Sequence, residues 1–153
     1  MYVARQPILD HASRVYGYEL LYRDRADATD CADTGDRATA RVLTDAILSL
    51  GLETLTSGKP AFVNFTRELI LNDAASVLPA HSLVIEIQHD TAADAEVIEA
   101  CKRLRAHGYA LTLDNFVEGD HAETLLPLAT FVKVNVMAVS NERIAAIARR
   151  LGP

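Results

Sequence analysis

Glu19, Asn64, Glu86 and Asp114 are the residues of this chain best placed to do chemistry, because each falls at the end of a strand-like segment: YGYELL, PAFVNF, LVIEI and ALTLD. Three carboxylates and an amide oxygen brought together suit a hard divalent cation. At an effective dielectric near 20 and about 4 Å, such an ion attracts one carboxylate by roughly 8 kcal/mol before desolvation takes most of it back. Taken one at a time, the same residues would equally cap a helix or pair with a surface base. In FVKVNV, Lys133 alternates with Val132 and Val134, so it points with Asn135 to the other side, toward the interior. There its ammonium would neutralise a phosphate, orient an attacking water or form an ion pair with Asp114. Arg23 and Gln6 are candidates for an anionic or nucleotide ligand, Arg for its bidentate fork. The histidines at 11, 81, 89, 107 and 121 have no metal-ligand spacing and are expected at the surface.

These oxygens meet only if the strands run parallel and each feeds a helix, since α/β folds gather their chemistry at the carboxyl ends of parallel strands. The pattern along the chain predicts that arrangement. YVARQPILDHASRVYGYELLYR reads as a hairpin with a polar turn at Asp10 to Arg14. An exposed loop is expected over Asp24 to Gly35, then a helix from Asp36 carrying Val42, Leu43, Ala46, Ile47 and Leu50 and stopping at Gly51. A turn at Gly58-Lys59-Pro60 leads to a strand over Ala61 to Phe65 and a short helix over Arg67 to Leu71. The strand Ser82 to Ile87 is apolar up to Glu86, as for a strand buried on both faces. Its helix is expected to open at Thr91 with Asp94 in a capping box, present Val97, Cys101 and Leu104 on one stripe, and end at Gly108. Then follow a strand over Tyr109 to Leu113, a short helix over Ala122 to Leu126, a strand over Phe131 to Val136 and a helix over Asn141 to Leu151.

Alternating strands and helices predict an α/β fold of right-handed parallel units. At 153 residues the chain is about one domain, well short of the roughly 250 of a complete eight-unit barrel. The expectation is a partial TIM-type β/α barrel of five or six strands with an N-terminal hairpin, spanning 1–153 and incomplete at its C-terminal end. Its open sheet edge would be covered by another chain or by further sequence. A net charge of −6 gives no general attraction to nucleic acid or to an anionic membrane. No apolar run reaches the length of a spanning helix and the N-terminus lacks the apolar core of a signal peptide, so the cytoplasm is the expected location. Cys31 and Cys101 are too few for a disulfide framework; Cys101 reads as a core residue and Cys31 as a loop thiol.

Gln6-Pro7-Ile8, Glu19-Leu20-Leu21-Tyr22-Arg23, Val63-Asn64-Phe65-Thr66, Glu86-Ile87-Gln88, Asp114-Asn115-Phe116 and Lys133-Val134-Asn135 stand in the order and approximate spacing of one family. Over nearly its whole length the chain resembles the EAL family of cyclic di-GMP phosphodiesterases. Its start looks like the N-terminal part of bacterial signalling proteins that join an EAL-like domain to an HDOD domain. The resemblance implies an EAL-like barrel that binds cyclic di-GMP and holds two Mg²⁺ or Mn²⁺ ions to activate water. On the same ground Glu19, Asn64, Glu86 and Asp114 match metal ligands, Lys133 the catalytic-site lysine, and Arg23 and Gln6 ligand contacts. Against the family pattern, Asn115 replaces a second Asp, Asn135 another Asp, Leu20 an Ala, His89 an acidic residue, and Val117 a loop Gly. The acidic and Gln motifs of the later strands have no counterpart. The expected function is therefore a degenerate signalling module, not an enzyme, that acts through protein interaction or regulation. The alternatives are a metal-dependent cyclic di-GMP phosphodiesterase in its full-length form or a non-hydrolysing receptor. The partners implied are cyclic di-GMP, a C-terminal HDOD domain or other signalling protein, and a second copy as a homodimer.

Overall fold

A computed structural model describes residues 2–23, 51–118 and 121–152. The helix expected after Asp36, the loop before it and Cys31 lie outside the described residues. The hairpin forms as read: β1 (Tyr2–Leu9) and β2 (Val15–Arg23) run antiparallel, with a bulge where Leu9 pairs with Val15. Asp10 shapes the turn, its Oδ1 accepting from the backbone N–H groups of Ala12 and Arg14, each at 2.9 Å. After Gly51 come a five-residue helix α1 (Leu52–Thr56), β3 (Ala61–Phe65) and α2 (Arg67–Leu71). β4 (Leu83–Gln88), α3 (Ala95–Ala106), β5 (Ala110–Asp114), β6 (Phe131–Val132) and α4 (Asn141–Leu151) complete the described order. The six strands form one sheet in chain order, antiparallel only between β1 and β2.

Alternation along each strand divides the side chains between two faces. Leu20, Ala61, Val63, Phe65, Leu83, Ile85, Ile87, Leu111 and Leu113 make one face, packed against Leu69 and Ile70 of α2 and Val97, Ala100, Cys101 and Leu104 of α3. Each large apolar side chain buried there contributes roughly 1.5–3 kcal/mol. The other face carries Phe62, Val84, Glu86 and Thr112, all buried.

That second face is concave. The Tyr16 ring of β2 lies 5.6 Å from the Phe131 ring of β6, and Phe62 joins both at 6.2 and 5.7 Å. In a flat sheet β2 and β6 would stand four strand spacings apart, about 19 Å. Their contact requires the sheet to curl, and the result is a six-stranded half-barrel with its helices outside.

Four local expectations are corrected. α3 begins at Ala95, not Thr91: Asp94 is the N-cap, accepting from Val97 N at 3.0 Å, while Thr91 N donates to Gln88 O in a preceding turn. The expected helix at 122–126 is a 3-10 helix, His121–Leu128, with Pro127 inside it. β6 pairs over two residues only, because Asn135 turns the chain: its Oδ1 accepts from Met137 N and its carbonyl from Ala138 N, both at 3.0 Å. Asn135 is therefore an exposed turn residue and does not accompany Lys133 inward. Lastly, Val117 does not take a left-handed backbone; among the described residues of that loop it is Asn115 that does, at φ 50.

Candidate functional site

β3, β4 and β5 pair so that Asn64 stands opposite Glu86 and Glu86 opposite Thr112, with Asp114 two residues further toward the strand end. These side chains share the concave face. Glu19 enters from β2 and Lys133 from the residue just past β6. Lys133 is held to the end of β5 by its backbone, since its N–H donates to Leu113 O at 2.8 Å and its carbonyl accepts from Phe116 N at 2.9 Å. The curl of the sheet does the rest. Lys133 Nζ lies 2.8 Å from Glu86 Oε1, 3.0 Å from Glu19 Oε2 and 3.1 Å from Asp114 Oδ1. An ammonium has three N–H donors, and three carboxylates face them.

The electrostatics of this cage are asymmetric. Glu86 has no exposed surface, and burial lifts its carboxyl from 4.5 to about 7; the hydrogen bond and charge of Lys133 oppose the rise and the charges of Glu19 and Asp114 add to it. For Lys133, desolvation pulls downward, but the hydrogen bonds to Glu86 and Glu19 and the charges of Glu86 and Asp114 outweigh it and hold the ammonium above the usual lysine range. The lysine thus stays charged while Glu86 titrates near neutrality.

The other candidates are placed as follows. Asn64 accepts from Gln88 Nε2 at 3.5 Å and is not among the hydrogen-bond partners of Lys133. Gln6 is exposed on β1, directly opposite Glu19. Arg23 is the last residue of β2, paired with Tyr2, and its side chain lies outside the described residues. Asn115 donates through Nδ2 to Asp114 Oδ2 at 3.1 Å. Thr112 escaped the sequence reading although the two-residue period back from Asp114 would have placed it on the same face; its hydroxyl is buried beside Glu86.

The donor set can be tested against a divalent ion. Each of the three carboxylates places an oxygen on the ammonium, and the neighbouring Asn64 and Asn115 are neutral amides. Among the described residues no group of three or more His, Cys, Asp or Glu side chains is disposed to hold a metal ion. As arranged, the three carboxylates surround the Lys133 ammonium, which stands where a cation shared by them would sit. Among the described residues no helix is long and apolar enough to cross a membrane.

The architecture is that of an incomplete TIM-like α/β barrel with a polar cluster at its strand ends. No family model matches the chain. Two curated bacterial proteins are similar to it: the uncharacterized protein YuxH of Bacillus subtilis, 34% identical over 99% of this chain, and the cyclic di-GMP phosphodiesterase CdgJ of Vibrio cholerae, 34% identical over 97%. The chain spans 38% and 34% of their respective lengths. Among solved structures, the YkuI protein of Bacillus subtilis, which has an EAL domain and was determined with substrate cyclic di-GMP and calcium, matches with a TM-score of 0.66. The identity there is 22%, over 98% of this chain and 46% of that one. The fold is accordingly that of an EAL domain, with the described residues forming a six-stranded half-barrel of that kind.

Proposed function

We propose that this chain is the EAL-type part of a bacterial signalling protein, that it does not hydrolyse cyclic di-GMP, and that it works by contact with another protein. The observation that carries the reading is the Lys133 ammonium bonded to Glu19, Glu86 and Asp114, three residues that the family resemblance assigns to metal ions. Asn115 adds to it: an amide brings no negative charge with which to bridge two cations. The resemblance of the N-terminus makes an HDOD domain of the same protein the first partner to test, and a second copy of the chain the next. The full-length protein, incubated with cyclic di-GMP and Mg²⁺ or Mn²⁺, is expected to yield no linear dinucleotide; metal-dependent turnover would overturn the proposal.

A second reading is favoured by one fact of geometry, that three carboxylates do reach a single point. If Lys133 can leave that point, a divalent ion can take it, and the full-length protein is then a phosphodiesterase or a non-hydrolysing cyclic di-GMP receptor. Calorimetry separates these: saturable binding without turnover identifies a receptor, and no binding at millimolar ligand leaves only the interaction role. Lys133→Met is the direct probe of exclusion, expected to raise Mn²⁺ affinity at least about tenfold, or about 1.4 kcal/mol. An unchanged Mn²⁺ titration would show that the lysine is not what keeps the ion out.

A further inference from the structure

Glu86 and Thr112 are register partners on β4 and β5, side by side on the concave face. Both are wholly buried, and among the described residues Glu86 Oε2 and Thr112 Oγ1 have no hydrogen-bond partner. Two neighbouring orphans are exceptional, because buried polar atoms are nearly always paired. Lys133 does not serve Oε2: it hydrogen-bonds to Glu86 Oε1 and Glu19 Oε2 and is ion-paired with Asp114. Nor do the two orphans bond to each other. A carboxylate oxygen only accepts, whereas a hydroxyl both donates and accepts, so the group that satisfies both must be small and carry at least one donor. Water has these properties, and buried waters typically serve two to four polar atoms that the chain leaves unpaired.

We propose that one ordered water molecule is bound between Glu86 Oε2 and Thr112 Oγ1, and that it is a built-in part of the site. It sits below the rim, since Thr112 precedes Asp114 by two residues and pairs on its other side with Phe131, two residues before Lys133. Bonded there, the water holds the Glu86 carboxylate with Oε1 turned to Lys133. The inference rests on packing alone, so its failure would leave the signalling reading where it stands.

Thr112→Val decides the matter because valine keeps the shape and removes the hydroxyl. If the pair is dry, the substitution deletes an unsatisfied polar atom and the Tm rises. If a water bridges it, the substitution strands the water and Glu86, and the Tm falls by about 2–4 °C or more. Thr112→Ser, which keeps the hydroxyl, is expected to retain the water. A high-resolution crystal structure supplies the second readout: density within hydrogen-bond distance of both oxygens in the unmodified protein and its loss in Thr112→Val. A valine variant as stable as the parent or more so, or a parent structure with no water at that position, overturns the proposal.

Discussion

Replacing Glu86 by Gln should remove a pH dependence of stability that the native side chain imposes between about pH 4.5 and about pH 7. Burial raises this carboxyl from 4.5 to about 7, so the folded chain holds the proton more tightly than the unfolded chain. Its contribution is complete below the unfolded value, declines as the pH climbs through the window and is gone above the folded value. The gap between 4.5 and about 7, at about 1.4 kcal/mol for each pH unit, comes to about 3 kcal/mol. Lys133 remains protonated throughout, because its own shift is upward. The assay is urea unfolding of both proteins at several pH values across this window. The difference in unfolding free energy, native minus Glu86→Gln, should shrink by about 3 kcal/mol from the acid end to the neutral end. Asp10 and Asp94 have lowered carboxyls that titrate below the window in both proteins and cancel in the difference. A difference that stays flat, or that grows with pH, would refute the claim that desolvation dominates at Glu86.

Three further substitutions test other parts of the structure. Gly17→Ala would place a Cβ 2.6 Å from Pro60 O and 2.9 Å from the Phe62 ring, and should cost about 1–3 kcal/mol in chemical denaturation; no loss would mean that β2 can slide against β3. Asp94→Ala removes the cap of α3 and should cost about 1 kcal/mol, with Asp94→Asn keeping most of it. If the alanine variant matches the parent, α3 is capped by something else; the exposed Arg67 ion pair adds little either way. Asn115→Asp keeps a residue tolerant of φ 50 and adds a carboxylate beside Asp114, so Mn²⁺ affinity of the full-length protein should rise. An unchanged titration would show that position 115 does not converge with the other oxygens.

Local signals that act over a few residues were legible in the sequence, and those that depend on distant contacts were not. Pattern reading places β3, α2 and α4 on their observed bounds from apolar spacing alone, and the structure adds the Thr66 and Ser140 caps that fix the two helix starts. It misses α1, whose five residues between Gly51 and Gly58 are too few for a periodic signal and whose helicity depends on packing Leu52 and Thr56. It overextends β6, since nothing in the alternation of FVKVNV reveals that Asn135 will close a turn on Met137. The site divides the same way. That Glu19, Glu86 and Asp114 share a face follows from strand ends and direction. That Glu19 and Lys133 touch follows from the curl that brings β2 to β6, 114 residues apart in the chain, and no motif encodes it.

The choice between an ammonium and a divalent ion is set by the sheet as much as by the side chains. An ammonium is satisfied by three single oxygens at 2.8 to 3.1 Å, which is what the strand ends supply. Mg²⁺ demands about six oxygens at roughly 2.0–2.1 Å, so the same three carboxylates would have to close by nearly 1 Å each. Their backbones are fixed by the ladders that run from β2 through β3 and β4 to β5, so the closing movement must come from side-chain torsions, and Glu86, walled in on every side, has little freedom to supply it. Charge points in the same direction. With every group ionised, three carboxylates and one ammonium leave a formal charge of −2, which draws a cation, but protonation of Glu86 below about pH 7 halves it. Metal loading should therefore be weakest in mildly acidic solution and should strengthen as the pH passes neutrality, with Lys133 departing as the ion arrives.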